Sequence, residues 1–272
     1  MRPALGELGL AEEPWTSVQF ATSLWLPASK PPQAAVAILH HPRGVRTLSF
    51  VASLVAAWGL GAPTSERTVL LGRSWEGRPI EAVEVGNRSG TPVLVVGCIH
   101  GNETGGIAIA RALERLSPRD LDLWVVPDLN PDGVAADRRQ NAHGVDLNRN
   151  FPWRWRPLSG VYESGPHPLS EREARIAHAL ILRLRPHLTI WFHQHLDLIW
   201  ASGGDRRVER VFAHVSGLPY HPLPQLAGSA IAWQNNTLGG TTAFAAELPA
   251  AEPGPAAIAR YVRAVLAAAH AR

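Results

Sequence analysis

A histidine and a glutamate three residues apart follow an apolar run of the chain, in the segment VVGCIHGNETGG at 95–106. An imidazole and a carboxylate at this spacing can bind one metal ion, but a catalytic zinc site uses about three protein ligands and keeps a position open for water. The segment WFHQHLD supplies two candidates for the third ligand beside His100 and Glu103, namely His193 and His195. Side chains alternate along a strand, so both histidines would face the same side, and the residues alone leave the third ligand open. His193 is the closer of the two to the last apolar residue of its run.

Strands and helices alternate along most of the chain. Six apolar runs rich in β-branched residues predict strands: TVLLG, IEAVEVG, PVLVVG, LDLWVVP, LTIWFH and TTAFAAELP. Apolar residues at helical spacing predict helices over 103–116, 170–186 and 254–272. Ser170 and Glu173 form a capping-box pattern at the start of the second helix. This order predicts one domain over 66–272, an α/β fold with a mixed, largely parallel central sheet flanked by helices.

The candidate chemical groups lie where predicted strands end. In parallel sheets, sites gather just past the carboxyl ends of the strands. His100, His193 and Glu247 all occupy such positions. Residues 127–169 hold no convincing periodic element, and a loop of that length in a compact domain is usually functional. We therefore expect a site at this edge of the sheet.

Five short blocks of sequence carry a family resemblance: HGNE at 100–103, NPDG at 130–133, GVDLNRNFP at 144–152, WFHQ at 191–194 and AELP at 246–249. Together and in this order they resemble the zinc carboxypeptidases, and within that family the bacterial branch that includes murein peptide amidases. The resemblance runs from about Arg67 to the C-terminus. It implies a zinc carboxypeptidase-like α/β sandwich with a catalytic domain at 66–272.

The resemblance also implies a metal site with one Zn²⁺ ion. His100, Glu103 and His193 match the family's zinc ligands. Asp146 matches the carboxylate that holds the first of these histidines in orientation. The ion would activate a water molecule for attack on an amide carbonyl, which makes the expected enzyme a hydrolase, specifically a metallocarboxypeptidase or peptide amidase.

Four further side chains match the family's substrate and acid–base groups. Asn148 and Arg149 match the pair that binds the terminal carboxylate of the substrate, for which a guanidinium fork is well shaped. Arg139 matches the arginine that stabilises the developing oxyanion, although the adjacent Arg138 is an alternative for this role. Glu247 matches the general base. The implied reaction is hydrolysis of an amide bond near the free carboxylate of a short peptide, such as one derived from peptidoglycan.

One feature of many carboxypeptidases is missing here. They place a tyrosine on a loop some twenty residues before the base, whereas residues 226–240 contain none. The nearest tyrosine in that part of the chain is Tyr220, and Trp233 or Gln234 are alternative residues to cover the cleft. The spacing of His143 and Asp146 also resembles a ligand pair, but the resemblance gives Asp146 its own role.

The sequence is also compatible with two other functions. Zinc deacylases that cleave N-acyl amino acids also use HGNE and DLNR blocks, but NPDG and the long GVDLNRNFP block fit the peptidase branch better. A non-catalytic cell-wall-binding relative would keep the fold without turnover. Such proteins usually lose a ligand or the base, and here all of these residues are present.

Composition limits the class of protein. The chain of 272 residues is 46% hydrophobic and 18% charged, as in globular domains. Its formal charge is +3, but the basic residues are 25 Arg and the single Lys30, spread along the chain rather than clustered as in nucleic-acid-binding proteins. The single Cys98 excludes an internal disulfide framework. We expect a small peptide as the partner, with no nucleic acid and no transmembrane segment; the oligomeric state stays open.

The first 65 residues form a poorly defined N-terminal extension. Residues 1–44 have no clean period, whereas the run at 43–63 has arginines, about a dozen apolar residues and then small residues. That is the layout of a secretory signal peptide, and it is too short to span a bilayer. We hypothesise that translation begins near Val45 and that the protein is exported to the cell envelope. The alternative is an ordinary helix at 47–60 in a cytoplasmic protein.

Overall fold

A computed structural model describes residues 66–271. The extension at 1–65, including the run at 43–63 and the alternative helix at 47–60, lies outside the described residues. Its domain boundary, the translation start and the cellular location therefore stay predictions. Within 66–271, no helix is long and apolar enough to cross a membrane.

One eight-stranded sheet forms the centre of the described domain, in the order β1-β2-β4-β3-β5-β8-β6-β7. The strands are β1 Arg67–Arg73, β2 Pro79–Gly86, β3 Thr91–Val96, β4 Leu121–Val126, β5 Leu188–Gln194, β6 Leu198–Ala201, β7 Tyr220–Pro222 and β8 Thr242–Leu248. The four central strands β4, β3, β5 and β8 are parallel, while β1, β2 and the β6–β8 pair add antiparallel contacts. The predicted mixed, largely parallel sheet is confirmed.

Helices cover both faces of this sheet. They are α1 Gly105–Leu113, α2 Pro131–Ala135, α3 Arg172–Leu184, α4 Arg206–Ser216, α5 Ala230–Thr237 and α6 Pro255–Ala269. Helices α1, α4 and α6 share one apolar core with the sheet, and α3 and α5 share the other. Consecutive β3 residues Val93 and Leu94 enter opposite cores, because a parallel strand covered on both faces needs apolar side chains on both.

The segment at 127–169 is more ordered than its sequence pattern indicates. It contains α2 and two 3₁₀ turns, Leu147–Arg149 and Gly160–Tyr162. Helix α2 follows Asn130, whose side chain accepts a hydrogen bond from the Gly133 backbone at 3.0 Å. Elements of three to five residues are too short to show a period. Side chains cap the start of α2 and of Leu147–Arg149, but none caps Gly160–Tyr162.

The predicted capping box at the start of α3 does not form. The residue before the first helical turn is Glu171, which makes no side-chain capping bond. The Ser170 hydroxyl instead donates a hydrogen bond to the Glu171 carboxylate at 2.7 Å. Ser170 therefore lies one residue too early to cap the helix.

Candidate active site

Strand ends position the principal side chains of the site. His100 and Glu103 lie in the turn that joins β3 to α1, and His193 lies near the end of β5. Glu247 lies in β8 directly opposite His193 in the parallel β5–β8 pair. Residues opposite each other in a parallel pair point to the same face of the sheet, so both side chains reach the same place. All four residues are at most 7% exposed.

The side chains of His100, Glu103 and His193 converge on one point. His193 Nδ1 lies 2.8 Å from Glu103 Oε2 and 3.1 Å from His100 Nδ1. His100 Nδ1 lies 3.0 Å from Glu103 Oε1. These three residues form a buried group that could hold a metal ion, each offering one ligand atom within 4.8 Å of the others.

The protonation pattern of this cluster fits a cation. His100 Nε2 is 3.0 Å from Asp146 Oδ1, so the proton of the neutral imidazole belongs on Nε2 and the Nδ1 lone pair faces His193. Two facing imidazole nitrogens 3.1 Å apart need a proton or a cation between them. Two imidazoles and one carboxylate, with a position left open, are an established donor set for catalytic zinc.

The carboxylates of Glu103 and Asp146 are held ionised. Burial acts to raise the pKa of each, but electrostatic attraction to neighbouring imidazole and guanidinium groups, together with hydrogen bonds, outweighs it. For Glu103 the opposing group is first His100, and for Asp146 it is His100 and then Arg139. The pKa of both carboxyl groups therefore lies well below its ordinary range, and the cluster offers negative charge to a cation at neutral pH.

Asp146 connects the candidate metal site, formed by His100, Glu103 and His193, to the surrounding loop. Besides His100, its Oδ1 accepts from the Asn148 backbone at 2.9 Å. Its Oδ2 accepts from Arg139 through Nε at 2.9 Å and Nη2 at 2.8 Å. One buried carboxylate thus fixes the orientation of a histidine, an arginine and the first residue of the predicted carboxylate-binding pair.

Arg139, not Arg138, reaches the cluster. Arg139 Nη1 donates to Glu103 Oε1 at 3.1 Å, and its side chain is 23% exposed. Arg138 makes no such contact, and its Nε is buried without a hydrogen-bond partner. The geometry therefore favours Arg139 as the cation beside the candidate zinc ligands.

The predicted carboxylate-binding pair lies next to this arginine. Asn148 Oδ1 accepts from the Ala230 backbone at 3.0 Å, which fixes the amide at the start of α5. Arg149 Nη1 donates to the Asn148 carbonyl at 2.8 Å. The guanidinium carbons of Arg139 and Arg149 lie 5.4 and 5.2 Å from the centre of one aromatic ring, that of Tyr162.

Glu247 has an unpaired oxygen in the same cluster. Its Oε2 is buried and makes no hydrogen bond within the described chain, and neither does His193 Nε2. Burial is the largest cause that raises the pKa of Glu247 above its ordinary value, opposed by His193. A carboxylate whose pKa is raised toward neutrality is better suited to accept a proton.

Several sequence candidates lie elsewhere. His195 is exposed and follows the last residue of β5, so the strand alternation that would place it beside His193 does not continue. His143 pairs with Glu171 at 3.1 Å and stacks on Trp75 rather than joining Asp146. The hydroxyl of Tyr220 donates to Glu209 at 3.1 Å, which accounts for that tyrosine away from the site.

Sequence reasoning missed Tyr162. It lies in the segment 127–169, where no period or motif singled it out. The only available signal was its position in the long loop that also contains GVDLNRNFP. Cys98 is buried as expected for a small apolar residue, with its thiol 3.1 Å from the His100 carbonyl oxygen.

Comparisons with known proteins agree with this geometry. The zinc carboxypeptidase family model matches residues 60–210, more than half of the chain. Murein peptide amidase A of Escherichia coli K12 is 34% identical over 143 residues, which cover 47% of this chain and 59% of that relative. The chain therefore belongs to the zinc carboxypeptidase family.

Solved structures extend the likeness across the described domain. The crystal structure of a murein-tripeptide amidase from Escherichia coli O157 matches with a TM-score of 0.62 and 26% identity, covering 75% of this chain and 92% of that one. Carboxypeptidase A of Helicoverpa armigera matches with a TM-score of 0.65 at 19% identity, over 76% and 69% of the two chains, which is a likeness of fold. The resemblance inferred from the motifs and the predicted fold class are both confirmed.

Proposed function

We propose that this protein is a zinc-dependent peptidase or amidase that hydrolyses an amide bond near the free carboxylate of a short peptide. The observation that carries the proposal is the convergence of His100, Glu103 and His193, with Glu247 directly across the β5–β8 pair. Three ligands plus a buried carboxylate that has an unpaired oxygen are the minimal groups for metal-assisted hydrolysis. Zinc held by these ligands would supply Lewis-acid chemistry, lowering the pKa of water and polarising a carbonyl oxygen.

The protein's own groups divide the remaining work. Glu247 accepts the proton of the attacking water and returns it to the leaving amine. Arg139, held by Asp146, donates to the oxyanion that develops on the scissile carbonyl. Asn148 and Arg149 bind the terminal carboxylate and so select the amide bond that is presented.

For the substrate class, we propose a peptide derived from peptidoglycan. This substrate class is supported by the names of two proteins that match the chain, a murein peptide amidase and a murein-tripeptide amidase. Both names describe an amide bond in a wall peptide, and the Arg149 site provides a cation for the carboxylate of such a peptide. Deacylation of N-acyl amino acids would use the same metal and the same cation, so it is the competing outcome of the test.

The test is mass spectrometry of a muropeptide mixture incubated with the zinc-loaded protein. We expect free peptide fragments whose masses identify the cleaved bond, and far less of these products with Glu247→Gln. N-acyl amino acids are assayed in parallel under the same conditions. If only the acyl amino acids are hydrolysed, the protein is a deacylase and the proposed peptidase activity is wrong. If neither substrate is hydrolysed, the protein is a non-catalytic relative.

We also propose that the protein acts in the cell envelope. The support is the signal-peptide-like run at 43–63 together with a wall-derived substrate. Sequencing the N-terminus of the natural protein tests this location. A mature chain that begins at Met1 would contradict it.

A further inference from the structure

Tyr162 joins the two arginines of the proposed site. Its ring lies in the 3₁₀ turn Gly160–Tyr162, 5.4 Å from the guanidinium carbon of Arg139 and 5.2 Å from that of Arg149. Both distances are within the range of cation–π attraction. The residue is 44% exposed, so the ring is also open to a ligand.

The backbone around Tyr162 is fixed by the residues that build the site. The Asp146 backbone donates to the Glu163 carbonyl at 2.7 Å, directly after Tyr162. Gln140 Nε2 donates to the carbonyls of Gly160 and Val161, at 3.3 and 3.2 Å. The turn is therefore tied on one side to Gln140, the neighbour of Arg139, and on the other to the backbone of Asp146, whose carboxylate orients His100.

The position of the ring defines what it would contact. In the proposed reaction, which this inference rests on, Arg139 binds the scissile carbonyl and Arg149 binds the terminal carboxylate. Those two substrate groups are separated by the single residue that leaves as the amine. A ring at nearly equal distance from both guanidinium groups is positioned to border that residue.

We propose that Tyr162 is a specificity-determining residue, whose ring forms one wall of the subsite for the leaving residue. The ring also holds the two guanidinium groups in position, because each is attracted to the same aromatic ring. The wall thus sets which leaving residues fit and keeps both cations in position before the substrate arrives. No tyrosine from 226–240 contributes to the site, since that segment contains none.

The experiment measures peptide binding without turnover. In the zinc-loaded Glu247→Gln background, isothermal titration calorimetry gives the Kd of wall-type tripeptides that differ only in the last residue, glycine against phenylalanine. Tyr162→Ala is expected to raise the Kd by about tenfold, as loss of cation–π contacts and of one wall predicts, and to reduce discrimination between the two peptides. Tyr162→Phe keeps the ring and is expected to recover most of the lost affinity and selectivity.

A neighbouring residue provides the control. Val161 is 59% exposed in the same turn and has no place in the proposed site. Val161→Ala should bind both peptides as the background does, and melting temperatures and zinc content should match across all variants. Wild-type hydrolysis of the same peptides, measured as kcat and KM, reports separately on the proposed function.

Three results would overturn the assignment. Unchanged affinity and selectivity in Tyr162→Ala would remove the ring from the subsite, even if the wild-type protein is an active hydrolase. An equal loss in Val161→Ala would show that the turn, not the ring, matters. Failure of the Glu247→Gln protein to bind any peptide would overturn this inference, while hydrolysis by the wild type alone decides the proposed function.

Discussion

The buried carboxyl group of Glu247 lies opposite His193 in the β5–β8 pair and has one oxygen without a hydrogen-bond partner in the described chain. Replacing it with glutamine keeps the shape but removes the proton acceptor. We expect Glu247→Gln to lower kcat by about 10²–10⁴-fold, the usual contribution of a general base, with little change in zinc content. Steady-state kinetics with metal analysis checks this. A variant with full activity would remove Glu247 from the mechanism.

Asp146 holds His100 in orientation at the candidate metal site without being one of the three converging residues. Asp146→Asn keeps an oxygen for the Asn148 backbone but weakens the charged bonds to His100 and Arg139. Such changes behind a ligand typically cost about 10–100-fold in metal affinity, and we expect that range here. Competition with a chromophoric chelator measures it. Asp137→Asn, an exposed carboxylate in the same segment, should bind zinc as the wild type does.

Asp128 makes stability depend on pH. Burial raises its pKa from 3.8 to about 6, although its carboxylate accepts from the Asn130 backbone. Because the folded-state pKa lies above the ordinary value, the free energy of unfolding contributed by this group is greatest below pH 4 and falls as the pH rises through 6. Asp128→Asn should therefore be more stable than the wild type by about 1–3 kcal/mol at pH 8 and equal to it near pH 3.5. Urea unfolding at both pH values tests this; a difference that does not vary with pH would contradict it.

At the scale of residues, the sequence predicted the site residues that lie together in one short motif. It did not distinguish candidates whose position depends on where a strand ends. The spacing of His100 and Glu103 made them candidates, and the family resemblance of the HGNE block assigned them the ligand roles. The choice of His193 over His195 depends on β5 ending at Gln194, which alternation along a strand does not reveal. Tyr162 approaches the arginines only through the folding of a loop without periodicity, so no local signal marked it.

At the scale of elements, helix α2 packs against the turn that carries two predicted ligands. A Cβ on Gly101 would lie 1.9 Å from the Gly133 carbonyl carbon, which belongs to backbone and has little room to move. Gly101→Ala must therefore displace the turn or the helix. We expect a loss of about 1–3 kcal/mol in the free energy of unfolding, the usual cost of overpacking, together with weaker zinc binding.

A matched glycine separates this packing effect from a general effect of alanine. A Cβ on Gly239 would meet nothing within 4 Å, so Gly239→Ala should unfold and bind zinc as the wild type does. Guanidinium unfolding and zinc titration of both variants give the comparison. Equal stability of the two variants would show that the contact with α2 does not constrain the site.

The same scale shows which elements a sequence pattern can predict. The six longer strands and helices α1, α3 and α6 were predicted from their apolar spacing, whereas α4, of 11 residues, was missed. Strands β6 and β7, of four and three residues, are too short for alternation to register. Helix α5 was missed because its buried residues run consecutively from Ala230 to Gln234, without the spacing of an amphipathic helix.

At the scale of the whole molecule, the metal cluster joins parts of the described domain that are distant in sequence. His100 and Glu103 come from the β3–α1 turn and His193 from β5, while Asp146 links them to the segment 127–169. An ion bound to these groups would connect these elements only in the folded state. A ligand that binds only the folded state stabilises it by about 2.7 kcal/mol at a concentration 100 times its Kd.

Zinc should therefore raise the melting temperature of the full chain. With about 2–4 °C per kcal/mol for a domain of this size, the expected rise is about 5–10 °C relative to the chelator-treated protein. Differential scanning calorimetry of the zinc-loaded and chelated protein measures the shift, and His193→Ala should lose most of it because one of the three ligand atoms is gone. If zinc leaves the wild-type melting temperature unchanged, or raises that of His193→Ala by the same amount, the ion does not bind where these three side chains converge.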